Sequence, residues 1–152
     1  MAAEKYSSTN MVQHHPVFRP HGHLAFRFEG NIMVSTAVGP FNKEIIEAVA
    51  KVQQDLLQDM VDQQKWAYLV YFEKSVLAPI EALQAITSYL RWLASIHRLP
   101  NAVAFVIAPE LEGAQIMIPH FQRTHAQAGM NFQVFATQEA AQTWLQECLA
   151  GC

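Results

Sequence analysis

Two apolar runs decide the fold of this chain: Trp66–Phe72, which reads WAYLVYF, and Ala102–Ala108, which reads AVAFVIA. Each is seven residues long, whereas a helix needs about 20 apolar residues to span a bilayer. Continuous apolar runs of this length are typical of strands that are buried on both faces. The sequence therefore predicts two central strands in a sheet that is covered by helices.

The segment before the first run has the pattern of a β-hairpin. Apolar and other residues alternate over Leu24–Phe28, and the alternation resumes over Ile32–Thr36. Between them lies Gly30-Asn31, a link that favours a tight turn because glycine accepts a positive φ. We therefore expect an antiparallel pair of strands, each with one buried face.

Helical patterns fill the remaining connections. Apolar residues recur at spacings of three and four from about Asn42 to Met60, and again from Pro79 to about His97. A third helical segment contains Pro119, where we expect a kink or the start of a new helix. A short strand, Phe132–Phe135, precedes a last helix that Thr137 can cap. The predicted fold is a single α/β domain with a mixed sheet of about five strands and about four helices, in the order ββαβαβαβα.

Length and composition limit the possible function classes. The chain has 152 residues, 51% hydrophobic and 15% charged, with a net charge of −3. This suits one domain over residues 17–152, preceded by a flexible arm over residues 1–16. The absence of any block of basic residues makes nucleic acid an unexpected partner. We expect no membrane span and no signal peptide, and two cysteines, Cys148 and Cys152, fit a reducing cytoplasm.

The order of elements, the run Trp66–Phe72 and the ending Phe132–Leu145 resemble the SpoIIAA-like family of the STAS superfamily. The resemblance covers about residues 23–149. It implies a small α/β domain that is usually not an enzyme, with relatives among anti-sigma-factor antagonists and lipid carriers of similar architecture. Regulatory members carry an Asp-Ser-Ser or Asp-Ser-Gly motif after the central strand. Here Ser75 is present without that motif, which argues against a phosphorylation switch.

The predicted helix after Pro79 has an unusually wide apolar arc. It extends through Tyr89, Trp92 and Ile96 to about 200°, roughly twice what contact with one sheet requires. One interpretation is a site for an apolar or lipid-like ligand, lined by the side chains of Tyr89, Trp92, Leu93, Met117 and Phe121. The other is a protein–protein interface, either of a homodimer or of an anti-sigma-antagonist type of regulator.

An enzymatic alternative rests on the ends of the two central strands. In open α/β sheets, ligands bind outside the carboxyl ends of the strands. Glu73, Lys74, Ser75 and Glu110 could share a crevice there and supply acid–base chemistry. We prefer the interpretation that these are ordinary loop residues.

The seven histidines do not form a convincing metal site. The sequence places His14, His15, His21 and His23 close together, but no cysteine or carboxylate completes a ligand set nearby. We expect His97 on the core side of its helix and His125 packed in the core with a hydrogen-bonded ring. The overall prediction is a non-catalytic binding module without cofactor or metal, homodimeric, that carries a small apolar or lipid-like molecule or associates with a membrane.

Overall fold

The structure, a computed structural model, describes residues 6–8, 20–58 and 64–151. The strands are β1 (Tyr6–Ser8), β2 (His23–Glu29), β3 (Ile32–Val38), β4 (Ala67–Glu73), β5 (Ala102–Val106) and β6 (Phe132–Phe135). The helices are α1 (Lys43–Leu57), α2 (Ile80–Ser95), α3 (Ala114–Gln127) and α4 (Gln138–Gly151). The predicted α/β class and the predicted order ββαβαβαβα are confirmed for β2 through α4.

The strand β1 is an addition to the prediction. It pairs antiparallel with β2 at the edge of the sheet. It lies within residues 1–16, which the sequence predicts to be a flexible arm. Three residues are too few to show a periodic pattern, so the sequence carries no signal for this strand. The rest of that segment, including His14 and His15, lies outside the described residues, as does the predicted helix end at Met60.

The sheet keeps the strands in chain order, from β1 at one edge to β6 at the other. The hairpin between β2 and β3 is antiparallel, with Glu29 opposite Ile32 across Gly30, which has a φ of 60°. The strands β3, β4, β5 and β6 are parallel neighbours. One row across them runs from Val34 through Leu69 to Ala104.

This strand order determines where the helices lie. Parallel crossovers are right-handed, so three successive crossovers in one direction put their helices on the same face of the sheet. Accordingly α1, α2 and α3 pack on one face, against side chains such as Phe26 and Val70. The other face is contacted by α4 over β4, β5 and β6, where Leu145 packs with Leu69 and Ala104.

Pro119 does not divide the third helix, contrary to one of the two expectations. It lies inside α3, which is continuous from Ala114 to Gln127. A proline removes the hydrogen bond to the carbonyl four residues earlier, here that of Gln115. Both Pro119 and Gln115 are exposed, so water can satisfy that carbonyl.

His97 is a second correction. It was expected on the core side of its helix, but α2 ends at Ser95 and His97 is exposed with a φ of 58°. The backbone leaves the helix before this position, so the helical wheel no longer says where its side chain lies.

Candidate functional site: a buried apolar cavity

The sheet has a core on each face, the larger one beneath α1, α2 and α3 and the smaller one beneath α4. A cavity of about 100 Å³ lies inside the larger core, between the sheet and these three helices. Its lining comes from every layer around it, and most of the side chains are apolar. The lining residues are Leu24, Ala37, Phe41, Ile46, Val49, Gln53, Trp66, Tyr68, Val70, Phe72, Ala78, Ile86, Tyr89, Leu90, Leu93, Pro100, Val103, Phe105, Phe121 and His125. The cavity exists because side chains from four strands and three helices meet there without filling the space between them.

Aromatic rings form the end of the cavity nearest α3. Phe105 lies 4.8 Å from Phe72 and 5.3 Å from Phe121 between ring centroids, with steep interplanar angles. Such edge-to-face contacts are the favoured arrangement of aromatic pairs. They hold this end of the cavity in a defined shape.

Hydroxyl groups on the sheet and on α2 are the unusual feature of this core. The oxygens of Ser35, Tyr68 and Tyr89 are buried, and none has a hydrogen-bond partner within the described part of the protein. Tyr68 and Tyr89 line the cavity, and Ser35 lies on the same face of the sheet, beside Tyr68. A buried polar group without a partner costs about 1–3 kcal/mol, so natural proteins contain few of them.

Burial dominates the titration of both tyrosines. It raises the pKa of Tyr68 far above its usual range, and the side chains of Ser35 and Gln53 oppose this effect. Burial also raises the pKa of Tyr89, and the nearby Tyr68 phenol raises it further. Both phenols are therefore neutral hydroxyl groups at physiological pH, able to donate and to accept a hydrogen bond.

His125 is the titratable group at the aromatic end of the cavity. Its Nδ1 lies 2.7 Å from the carbonyl oxygen of Phe121, and its ring stacks on Phe132 at 3.9 Å. Burial lowers the pKa of His125 to about 4, although the bond to Phe121 acts in the opposite direction. The imidazole is thus neutral at pH 7, and the prediction of a packed, hydrogen-bonded histidine is confirmed.

The five residues predicted to bind a ligand separate into three groups. Tyr89, Leu93 and Phe121 line the cavity. Met117 is buried in the same core but is not part of the lining. Trp92 faces the surface with 42% of its area exposed, and its ring stacks on Tyr89 at 6.2 Å. It lies one helical position beyond the buried stripe of α2, which explains this difference.

Two surface grooves adjoin the cavity. One, of about 390 Å³, runs between α1 and α2, and Ile46 and Tyr89 line both this groove and the cavity. The other, of about 250 Å³, lies at the far end of α2, where it is lined by Trp92 and Ile96 and shares Leu93 with the cavity. The first groove is the more direct route into the cavity, because it shares two lining residues with the cavity, whereas the second groove shares one.

The residues predicted to share a crevice at the strand ends differ in their surroundings. Glu73, Lys74 and Glu110 are exposed. Ser75 is buried, with 3% of its area exposed, and its Oγ accepts a hydrogen bond from the Leu77 amide at 3.2 Å. This arrangement makes Ser75 part of the loop framework.

Backbone hydrogen bonds from two neighbouring segments hold that loop in place. Val76 donates to the carbonyl of Glu112 at 3.0 Å, and the Gly39 amide donates to the carbonyl of Glu73 at 3.3 Å. A Cβ atom at Gly39 would overlap the carbonyl oxygen of Ser75. The two connections therefore approach so closely that only glycine fits between them.

The structure offers neither a metal cluster nor a membrane-spanning helix among the residues it describes. Within those residues, no three His, Cys, Asp or Glu side chains come close enough together to hold a metal ion. None of the helices in the same ranges is long and apolar enough to cross a membrane.

The sequence alone does not single out several residues at or near the cavity. Tyr68 sits in an apolar run in which every residue reads as core. Gln53 did carry a signal, since it is a polar residue on the apolar face of its helix, four residues after Val49. Ser35 did not, because the alternation over Ile32–Thr36 places it on the opposite face from Ile32 and Val34. A polar side chain at a core-facing position is more informative than an apolar one, because its burial requires a reason.

Comparisons with models of protein families, with curated proteins and with solved structures give no match to this chain.

Proposed function

We propose that this domain is a non-catalytic binding module that holds a small apolar molecule in the cavity between the sheet and α1–α3. The observation that carries the proposal is the cavity itself, a space with an almost entirely apolar lining between the sheet and α1–α3. Apolar cavities remain dry and take up apolar molecules of matching size.

The size of the cavity narrows the class of ligand. A cavity of roughly 150 Å³ in a protein core is enough to bind benzene. The present cavity, at about 100 Å³, is smaller, so it suits a short alkyl chain, and a single ring requires a small outward shift of the lining side chains. A long acyl chain, included in the prediction of a lipid-like ligand, would require α1 and α2 to move apart.

Native mass spectrometry of freshly expressed protein, followed by denaturing extraction, tests this proposal. We expect excess mass that is released on extraction, or, for protein stripped of ligand, saturable binding of toluene measured by calorimetry. Replacing Ala37, which lines the cavity, by leucine should fill the space and abolish binding. Ala140→Leu, on the exposed side of α4, is the matched control and should bind normally. Absence of binding in the unmodified protein would contradict the proposal.

A second candidate function, self-association, is favoured by the exposed apolar end of α2. Trp92 and Ile96 lie one turn apart and are each 42% exposed, beside a groove of about 250 Å³. Large exposed apolar side chains that lie together are typical of interfaces. A dimer in sedimentation analysis that Trp92→Asp converts to a monomer would support this function, with Ile116→Asp, another exposed position, as the control.

We further propose that the chain is a divergent SpoIIAA-like protein of the STAS superfamily, acting in the cytoplasm. The order of strands and helices supports this assignment, since it is the order that the family implies. The loop after β4 contains Ser75 in a buried position and lacks the phosphorylation motif, which favours binding over a phosphorylation switch.

A further inference from the structure

We infer that the ligand is an uncharged molecule with one hydrogen-bonding oxygen on an apolar ring or short chain, and that Tyr68 and Tyr89 bind this oxygen. The inference rests on the proposed function, since it specifies which apolar molecules the cavity selects.

The first support is that buried hydroxyl groups on the cavity lining lack full hydrogen bonding. Within the described part of the chain, the buried hydroxyl of Tyr89 has no hydrogen-bond partner. The buried hydroxyl of Tyr68 has none at full hydrogen-bond geometry, although the side chains of Ser35 and Gln53 lie close enough to lower its pKa. Phenylalanine at either position would keep the ring and avoid the cost of burying the oxygen. Two such hydroxyls on the lining of one cavity therefore indicate a polar atom of the ligand between them.

The second support is that these groups come together from separate elements. Tyr68 projects from the centre of the sheet and Tyr89 from α2, and the two phenols are close enough to influence each other electrostatically. Ser35 and Gln53 are also adjacent to Tyr68. The remaining surface near them is apolar, so the polar groups form one spot on an apolar wall.

The third support is the lack of charge around the cavity. Among the described lining residues there is no Asp, Glu, Lys or Arg, and His125 is neutral at pH 7. A charged ligand would lose its hydration without gaining an opposite charge, which is strongly unfavourable. Hydroxyl groups, which both donate and accept, suit the oxygen of an alcohol, a phenol or a carbonyl.

Phenol and toluene are the probes that test the role of the oxygen, because each has a six-membered ring and one further heavy atom. We expect calorimetry at pH 7 to give phenol roughly 3- to 10-fold higher affinity than toluene, the worth of one net hydrogen bond. Benzoate, which carries a negative charge, should not bind.

Tyrosine variants assign the effect to particular residues. Tyr68→Phe and Tyr89→Phe should each reduce the preference for phenol and leave the affinity for toluene unchanged. Tyr71→Phe is the matched control, because Tyr71 also has a buried, unpartnered hydroxyl on β4 but packs on the opposite face of the sheet. It should retain the full preference for phenol.

The possible results separate this inference from the proposed function. Equal affinities for phenol and toluene, unaffected by Tyr68→Phe, would overturn the inference and leave the apolar site in place. Benzoate binding as tightly as phenol would overturn the claim of an uncharged ligand. Failure of both toluene and phenol to bind would overturn the proposed function together with the inference.

Discussion

Tyr68 and Tyr71 stand three residues apart on β4 and face opposite sides of the sheet. Tyr68 lines the cavity, whereas Tyr71 packs with the smaller core beneath α4. Both have buried hydroxyls without a partner in the described residues. At the scale of single residues, the molecule thus keeps two polar atoms where apolar ones would fit, and only one of them borders a space that a ligand can enter.

Tyr68→Phe should stabilise the ligand-free protein. Removing an unpartnered buried hydroxyl removes its desolvation cost, which is about 1–3 kcal/mol of unfolding free energy. Urea denaturation of the stripped protein measures this change. A lower stability in the variant would mean that the hydroxyl is hydrogen-bonded in the native state.

His125 should make stability depend on pH below neutrality. Burial depresses its folded-state pKa to about 4, below the value of about 6.5 in the unfolded chain. Its contribution is complete above pH 6.5. As the pH falls from 6.5 to 4, the unfolded state binds a proton that the folded state excludes, and about 3 kcal/mol of stability is lost.

Denaturation curves between pH 7 and pH 4.5 check this expectation. The His125→Gln variant should be less stable at pH 7 but should lose less stability on acidification than the unmodified protein. His120→Gln, at an exposed position on the same helix, should leave the pH dependence unchanged. Parallel curves for the unmodified protein and His125→Gln would contradict the assignment.

At the scale of elements, the packing of α2 shows what its sequence can and cannot predict. Of the three residues that widen its apolar arc, Tyr89 lines the cavity, whereas Trp92 and Ile96 are each 42% exposed. The arc alone does not separate Tyr89 from Trp92, because the limits of the buried stripe depend on how α1 and α3 pack beside the helix. Those contacts join residues far apart in the chain.

The strands show the same division between local and long-range information. The apolar runs predicted β4 and β5, and the Gly30-Asn31 link predicted the hairpin, because these signals lie within a few residues. The pairing of β1 with β2 joins Tyr6 to Arg27, and nothing in three residues indicates that partner. The cavity likewise depends on long-range contacts, since its two hydroxyls come from β4 and α2.

The loop between β3 and α1 should be intolerant of any side chain at Gly39. A Cβ atom there would meet the backbone of Ser75, which cannot move away easily because its loop is tied to Glu112. We expect Gly39→Ala to lower the unfolding free energy by about 1–3 kcal/mol. Thermal denaturation measures it, with Gly151→Ala, which has open space around it, as a control that should change little.

At the scale of the whole molecule, the sheet separates two cores, and they differ in whether they contain the cavity. The larger core contains the cavity, and the smaller one, beneath α4, holds residues such as Leu69 and Ala104 that lie away from it. Stability therefore draws on both faces of the sheet, whereas the cavity lies on one.

Leu93 and Leu145 provide a matched test of this separation. Both are almost fully buried, Leu93 at the cavity and Leu145 in the smaller core. Replacement of either by alanine should cost about 2–5 kcal/mol of unfolding free energy. Calorimetry with toluene, under conditions where each variant is folded, should show tighter binding for Leu93→Ala, because the truncation enlarges the cavity, and normal binding at this cavity for Leu145→Ala. Equal changes of affinity at this cavity would show that the two cores act as one.

The strand order described above has a consequence for the growing chain on the ribosome. Each unit emerges next to the strand that it will pair with, from the β2–β3 hairpin to β6, so the sheet can extend at one edge in the order of synthesis. The helix that covers the second face, α4, is translated after the last strand. Until then the apolar row through Val34, Leu69 and Ala104 lacks this cover, so we expect the nascent chain to be most prone to aggregation at that stage.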